Sequence, residues 1–146
     1  MKDSHIGSYG VIGLICYFLL LLQLHHLPLG LLCILVLSGD CWSKFCASQI
    51  VNYLPYARKE EDSQKAKSYY NRMSRKEPDI GFVCGLIPFV LLLPIRMWPA
   101  TLFPLLTFAL LCRLMKRRLQ GYTGDCCGAA FLLCELSFYI GSLIMV

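Results

Sequence analysis

Charge is scarce in this sequence. Fourteen basic and nine acidic side chains make up only 16% of its 146 residues, where a soluble domain carries about 25%. No C-x-x-C pair occurs, which removes the usual zinc-ribbon and thioredoxin signatures. No small-residue cleavage site closes the first apolar stretch, so it does not read as a secretory leader. Internal repeats and low-complexity tracts are missing too. Together these absences exclude a disordered chain, a coiled coil and an ordinary soluble enzyme.

Apolar residues are abundant instead: 57% of the chain, with a mean hydropathy of +0.58. That is the composition of an integral membrane protein. The nine cysteines all lie in or beside apolar runs. Each is expected to be a small buried hydrophobe rather than half of a disulfide.

Residues 7–24 contain no charge and approach the length that crosses a bilayer. His25-His26-Leu27-Pro28 reads as an exposed turn, and a second helix is expected from Leu29 through Asp40 and Lys44 towards Leu54. Residues 55–78 form a polar loop with seven basic residues and a helical piece expected over 63–73. This loop admits three readings: a solvated face, an anionic-lipid anchor or a phosphate clamp. Residues 80–95 and 98–112 are uncharged and interrupted by Pro88, Pro94, Pro99 and Pro104. They predict a helical hairpin turning at Arg96, since membrane helices tolerate proline where neighbours satisfy the freed carbonyls. A Gly-rich loop at 121–125 precedes a last span over 126–146. The expected fold class is therefore all-α, a single polytopic transmembrane helix bundle over 1–146 with about five spans.

Charge then sets the orientation. With Lys2 cytoplasmic and five crossings, twelve of the fourteen basic residues fall on the cytoplasmic side, as the positive-inside rule requires. The net charge of +5 needs no nucleic acid. Lys2-Asp3-Ser4, Tyr56-Ala57-Arg58 and Thr123-Gly124-Asp125 then meet at one interface.

Several of these residues carry two readings. Asp3 and Asp125 are either helix caps or ligands of a hard cation such as Mg²⁺. Glu135, near the middle of the last span, faces a partner or a cavity or is protonated, because an acid at bilayer depth costs about 2.5–3.5 kcal/mol. It is either a structural hydrogen-bonding group or part of a site. Asp40 and Lys44, four apart, share a helix face and pair. Arg58, at the end of a span, offers a bidentate fork to phosphate.

Three ordered motifs go further. Met1-Lys2-Asp3-Ser4-His5-Ile6-Gly7-Ser8-Tyr9-Gly10, Leu54-Pro55-Tyr56-Ala57-Arg58, and Gly121-Tyr122-Thr123-Gly124-Asp125 followed by Gly128-Ala129 and Glu135 resemble the "MKDSxIGxxG", "PYAR" and "TGDxxGA…E" elements of the cobalamin synthase family. These enzymes are adenosylcobinamide-GDP ribazoletransferases. The resemblance covers essentially the whole chain. It implies a Mg²⁺-dependent transferase that joins adenosylcobinamide-GDP to alpha-ribazole (or its 5'-phosphate). The products are adenosylcobalamin (or its phosphate) and GMP, in the last steps of vitamin B12 biosynthesis. It implies residence in the bacterial cytoplasmic (inner) membrane. By motif matching, Asp3 and Asp125 are expected metal ligands, and Lys2 and Ser4 expected phosphate contacts. Arg58 is expected to hold a diphosphate oxygen, with Glu135 a supporting acid.

The sequence departs from the family at three places. An Asp-rich "DGLADxxDG" stretch that precedes "MKDS" in relatives is absent. Lys59-Glu60-Glu61-Asp62 stands where Gly-Leu-Gly often follows the arginine. Gly39 replaces a frequent arginine after Ser38. The expected partners are the two substrates, the lipid bilayer, and other cobalamin-biosynthesis proteins or a missing N-terminal segment. The competing expectation is a truncated, non-catalytic membrane protein, a remnant of that enzyme.

Overall fold

The protein is described by a computed structural model covering residues 8–56 and 76–146. The segment 57–75, with the helical piece expected over 63–73, lies outside the described residues.

Uncharged runs become helices and the polar punctuation becomes turns. Helix α1 (Ser8–Gln23) ends in a short 3-10 turn, Leu24–His26. The chain reverses at Leu27 and Pro28, and both histidines are exposed. Proline suits this position, because the first turn has no use for its missing N–H. Helix α2 (Leu29–Ser48) follows, and after a break at Gln49 it continues as α3 (Ile50–Tyr53).

Helix α4 (Lys76–Leu92) contains Pro88 and leads through Pro94 into a 3-10 turn, Ile95–Thr101. Arg96 is exposed in that turn, so the hairpin predicted at Arg96 forms. Helix α5 (Leu102–Arg118) and helix α6 (Gly124–Met145) complete the bundle. Among the described residues, three stretches are long and apolar enough to cross a membrane: Leu29–Tyr53, Ile95–Arg118 and Gly124–Met145. The shorter apolar helix Val11–His26 packs beside them. Together with the family described below, these helices make this a membrane protein.

The helices alternate in direction, so the core divides by depth. At one end the close of α1, the early part of α2 and the close of α4 and α6 meet around Leu35, Phe89, Leu93, Met97 and Phe138. At the other, α3, the end of α5 and the start of α6 meet around Ile50, Leu54, Met115, Tyr122 and Ala130. Trp42, Cys46 and Cys134 join the two. The Trp42 indole N–H also donates to the Thr101 carbonyl over 3.2 Å, tying α2 to the hairpin turn.

Helix α2 is central. Its buried face repeats at Leu35, Ser38, Gly39, Trp42, Ser43 and Cys46, the spacing that keeps residues on one side of a helix. Gly39 is needed there: a Cβ would stand 2.7 Å from Phe138 Cδ1 and 3.0 Å from Tyr139 Cε1. The frequent arginine of relatives has no space at this position. Phe18, Leu22, Leu91, Leu106 and Leu110 are exposed on the outer faces, which suits lipid rather than water.

All nine cysteines are free, as expected. Only Cys46 and Cys134 are buried, however, while Cys16, Cys33 and Cys84 are exposed. The expectation of nine buried thiols therefore fails. The apolar runs that hold them are the lipid-facing sides of helices as often as the core.

Candidate functional site

Two sequence motifs far apart in the chain are joined by backbone. The Tyr122 N–H donates to the Pro55 carbonyl over 2.9 Å, and Tyr56 and Tyr122 form an isolated parallel bridge. Their rings meet edge to face with centroids 5.5 Å apart. Tyr122 is 1% exposed and sits on the Ile50–Leu54 core. The loop that leaves α3 and the loop that enters α6 are thus held side by side.

This clip sets the start of α6. Gln120 takes a left-handed φ of 54°, which turns the chain back after α5. Thr123 then caps α6: its hydroxyl oxygen accepts from the Cys126 N–H over 3.4 Å. Asp125 lies in the first turn and is exposed. The cap reading of this carboxylate is therefore taken by Thr123, and Asp125 remains free to face a solute. Unpaired N–H groups and the helix dipole make this end favourable for anions. Lys116, Arg117 and Arg118 close α5 at the same end. An apolar groove of about 420 Å³ runs beneath them between α5 and α6, with Leu111, Met115, Arg118, Cys126 and Ala130 among its walls.

Lys2, Asp3, Ser4 and Arg58 lie outside the described residues. Arg58 follows Tyr56 by two positions in the sequence.

Glu135 lies elsewhere. Ten residues beyond Asp125 on the same helix, it is displaced by about 15 Å along the axis, too far for one ion to bind both. It is 7% exposed. Tyr139 O–H donates to its Oε1 over 2.6 Å, and Tyr17 O–H on α1 donates to its Oε2 over 3.1 Å. Both carboxyl oxygens are occupied, as a buried acid at bilayer depth requires. Sequence reasoning missed both tyrosines. Tyr139 was visible as the i+4 neighbour of Glu135 on a helix face. Tyr17 carried no such signal, being 118 positions away.

Asp40 and Lys44 pair as the spacing predicts, with Nζ 2.8 Å from Oδ2. Among the described residues no group of three or more His, Cys, Asp or Glu could hold a metal ion. Mg²⁺, the ion the resemblance implies, is bound by one or two carboxylates plus waters and substrate phosphates. An exposed Asp125 beside a helix N-terminus fits that donor set.

Comparison with known proteins accords with this arrangement. Residues 1–143 match the family described as cobalamin-5-phosphate synthase. An adenosylcobinamide-GDP ribazoletransferase of Pseudoalteromonas atlantica is 36% identical over 149 residues, covering 96% of this chain and 53% of the relative. Proteins of the same name from Desulfitobacterium hafniense and Leptospira biflexa are 34% and 29% identical, covering 97% and 99% of this chain and 57% and 60% of theirs. The chain thus spans little more than half the length of these curated relatives. No solved structure matches it. With Pro55 and Tyr56 of one motif joined to Tyr122 of another at one end of an apolar helix bundle, and the match running over nearly all residues, the chain belongs to the cobalamin-5-phosphate synthase family.

Proposed function

We propose that the chain takes part in the transfer named for its relatives, in the bacterial cytoplasmic membrane. Adenosylcobinamide-GDP is joined to alpha-ribazole (or its 5'-phosphate), and GMP leaves. The observation that carries this reading is the Pro55–Tyr122 bond. It joins Pro55, in the "PYAR" motif, to Tyr122, beside the "TGD" helix start, at the end where Lys116, Arg117 and Arg118 close α5.

The division of labour follows from residue chemistry. Asp125, with Asp3 from outside the described residues, would hold Mg²⁺, which supplies charge neutralisation on the diphosphate. Arg58 presents two N–H groups to a diphosphate oxygen, and Lys2 and Ser4 contact phosphate. The α6 N-terminus adds its dipole to the same charge. Tyr122 and Thr123 hold the two loops in register, so these groups need little reorganisation when charge develops on the leaving phosphate. Glu135 supports this end at a distance, by fastening α1 to α6 through Tyr17.

The test is complementation of a bacterial strain lacking cobalamin synthase, with Asp125→Ala as control. Growth with the wild-type chain and none with Asp125→Ala is expected. A wild-type chain that reaches the membrane at normal levels yet supports no growth and releases no GMP from adenosylcobinamide-GDP overturns the reading. A non-catalytic membrane protein is then left.

A further inference from the structure

The groove between α5 and α6 comes from a mismatch of side-chain size. On α5, Leu111, Met115 and Arg118 recur at the spacing of one helix face, and α6 lines the other side with Cys126, Ala129 and Ala130. Small side chains against long ones leave a channel of about 420 Å³. Met115 and Ala130 are buried at its floor, while Leu114 and Ala129 are exposed at its rims. From Leu111 to Arg118 it follows α5 for about 10 Å. Arg118 is the charged member of an otherwise apolar wall.

Depth sets what can enter. Arg118 ends the apolar span Ile95–Arg118, and Gly124 begins the next, Gly124–Met145. The groove therefore runs up to the level where hydrocarbon gives way to headgroups. An arginine there lays its stem on the apolar wall and holds its guanidinium at the boundary. Lys116 and Arg117 stand in the same last turn of α5 and are exposed. Among the described residues no carboxylate pairs with any of these three cations.

The occupant must satisfy both halves of this arrangement. An acyl chain suits the apolar channel, and Arg118 offers a two-pronged fork to a phosphate at its mouth. A free phosphate would leave the channel unfilled. A zwitterionic headgroup brings its own ammonium towards three cations, which repel it. A headgroup with a net negative charge meets no such opposition.

We propose that the α5–α6 groove binds an anionic phospholipid, with one acyl chain lying over Met115 and Ala130 and the phosphate held by Arg118 beside Lys116 and Arg117. The lipid fastens the end of α5 to the start of α6, next to the loop that Tyr122 joins to Pro55.

The full chain in detergent is mixed with equal amounts of phosphatidylglycerol and phosphatidylcholine, and bound lipid is read by native mass spectrometry. Phosphatidylglycerol is retained over phosphatidylcholine by about tenfold or more, as expected for several basic residues against one anionic headgroup. Equal retention overturns the proposal. Two variants at exposed positions, Arg118→Gln and Ala129→Leu, keep the wild-type melting temperature. Arg118→Gln lowers the preference by about fivefold, the effect of one basic residue at the membrane surface. An unchanged preference puts the phosphate elsewhere and overturns the site. Ala129→Leu fills the channel and weakens retention of both lipids, whereas unchanged retention puts the acyl chain on another face and overturns the groove. GDP, a diphosphate without an acyl chain, leaves phosphatidylglycerol bound. Its displacement by GDP would give the basic turn to a substrate diphosphate and overturn the proposal. A chain that retains no lipid and is recovered as a dimer gives the groove to a second copy and overturns it as well.

Discussion

The backbone N–H of Tyr122 donates to the carbonyl of Pro55 over 2.9 Å, joining two loops that the sequence separates by 67 positions. The buried Tyr122 ring sits edge to face on Tyr56 beside this bond. Replacing Tyr122 with alanine removes the ring and opens a cavity against Ile50, Leu54 and Met115. Large buried aromatics truncated to alanine lose about 3–5 kcal/mol. Tyr122→Ala is expected to lower the thermal transition of the detergent-solubilised protein, and to release the 55–56 segment to proteolysis before the rest. Intact protease resistance there would show that the clip does not hold the loop.

Glu135 offers an internal comparison. Tyr139 donates to Oε1 over 2.6 Å within the core, and Tyr17 donates to Oε2 over 3.1 Å at its edge. Removing a partner from a buried polar group costs about 1–3 kcal/mol. Tyr139→Phe is therefore expected to destabilise more than Tyr17→Phe in denaturant unfolding. The double variant should lose a different amount from the sum, since both act on one carboxylate. The Tyr17 variant has a second signature: α1 should become the first helix to exchange amide hydrogens.

What was legible in the sequence was whatever a span or a helix face encodes locally. Uncharged runs marked the helices, Pro94 and Arg96 marked the hairpin turn, and the spacing of four marked the Asp40–Lys44 pair. Depth was legible too: Glu135 had to find partners because hydrocarbon offers none. Which partners it finds was not legible, because Tyr17 comes from the far end of the chain and meets α6 only in the packed bundle. Which residue supplies the cap was not legible either: Thr123 does, and Asp125 stands in the first turn behind it. Thr123 reaches the helix N-terminus first, and only the turn at Gln120 shows that. Gly39 looked like the loss of an arginine, but in the structure it is the place where α2 meets Phe138 and Tyr139.

That contact makes Gly39 a sensitive position. A methyl group there meets Phe138 Cδ1 at 2.7 Å and Tyr139 Cε1 at 3.0 Å, so the two helices must part or both rings must turn. Overpacking of this kind costs about 1–3 kcal/mol. Gly39→Ala is expected to lower the unfolding transition by that amount. Gly30→Ala, at a position where a Cβ meets nothing within 4 Å, should stay near the wild type and serves as the control in the same measurement.

Asp125 separates function from fold most cleanly. It is exposed in the first turn of α6, and Thr123 rather than Asp125 supplies the cap. Neutralising it gives up only the attraction of a carboxylate to the helix N-terminus, about 0.3–1 kcal/mol. Asp125→Asn should therefore unfold close to the wild-type temperature. If its carboxylate holds Mg²⁺ against the diphosphate, the same change removes charge stabilisation where GMP departs. A hundredfold loss in the rate of GMP release corresponds to about 2.7 kcal/mol of barrier, and a loss of at least that size is expected. The metal requirement gives the second signature. Raising Mg²⁺ should recover part of the Asp125→Asn activity and should not recover Thr123→Ala, whose lost cap no metal ion replaces. Activity of Asp125→Asn within threefold of the wild type at limiting Mg²⁺ would remove Asp125 from the site.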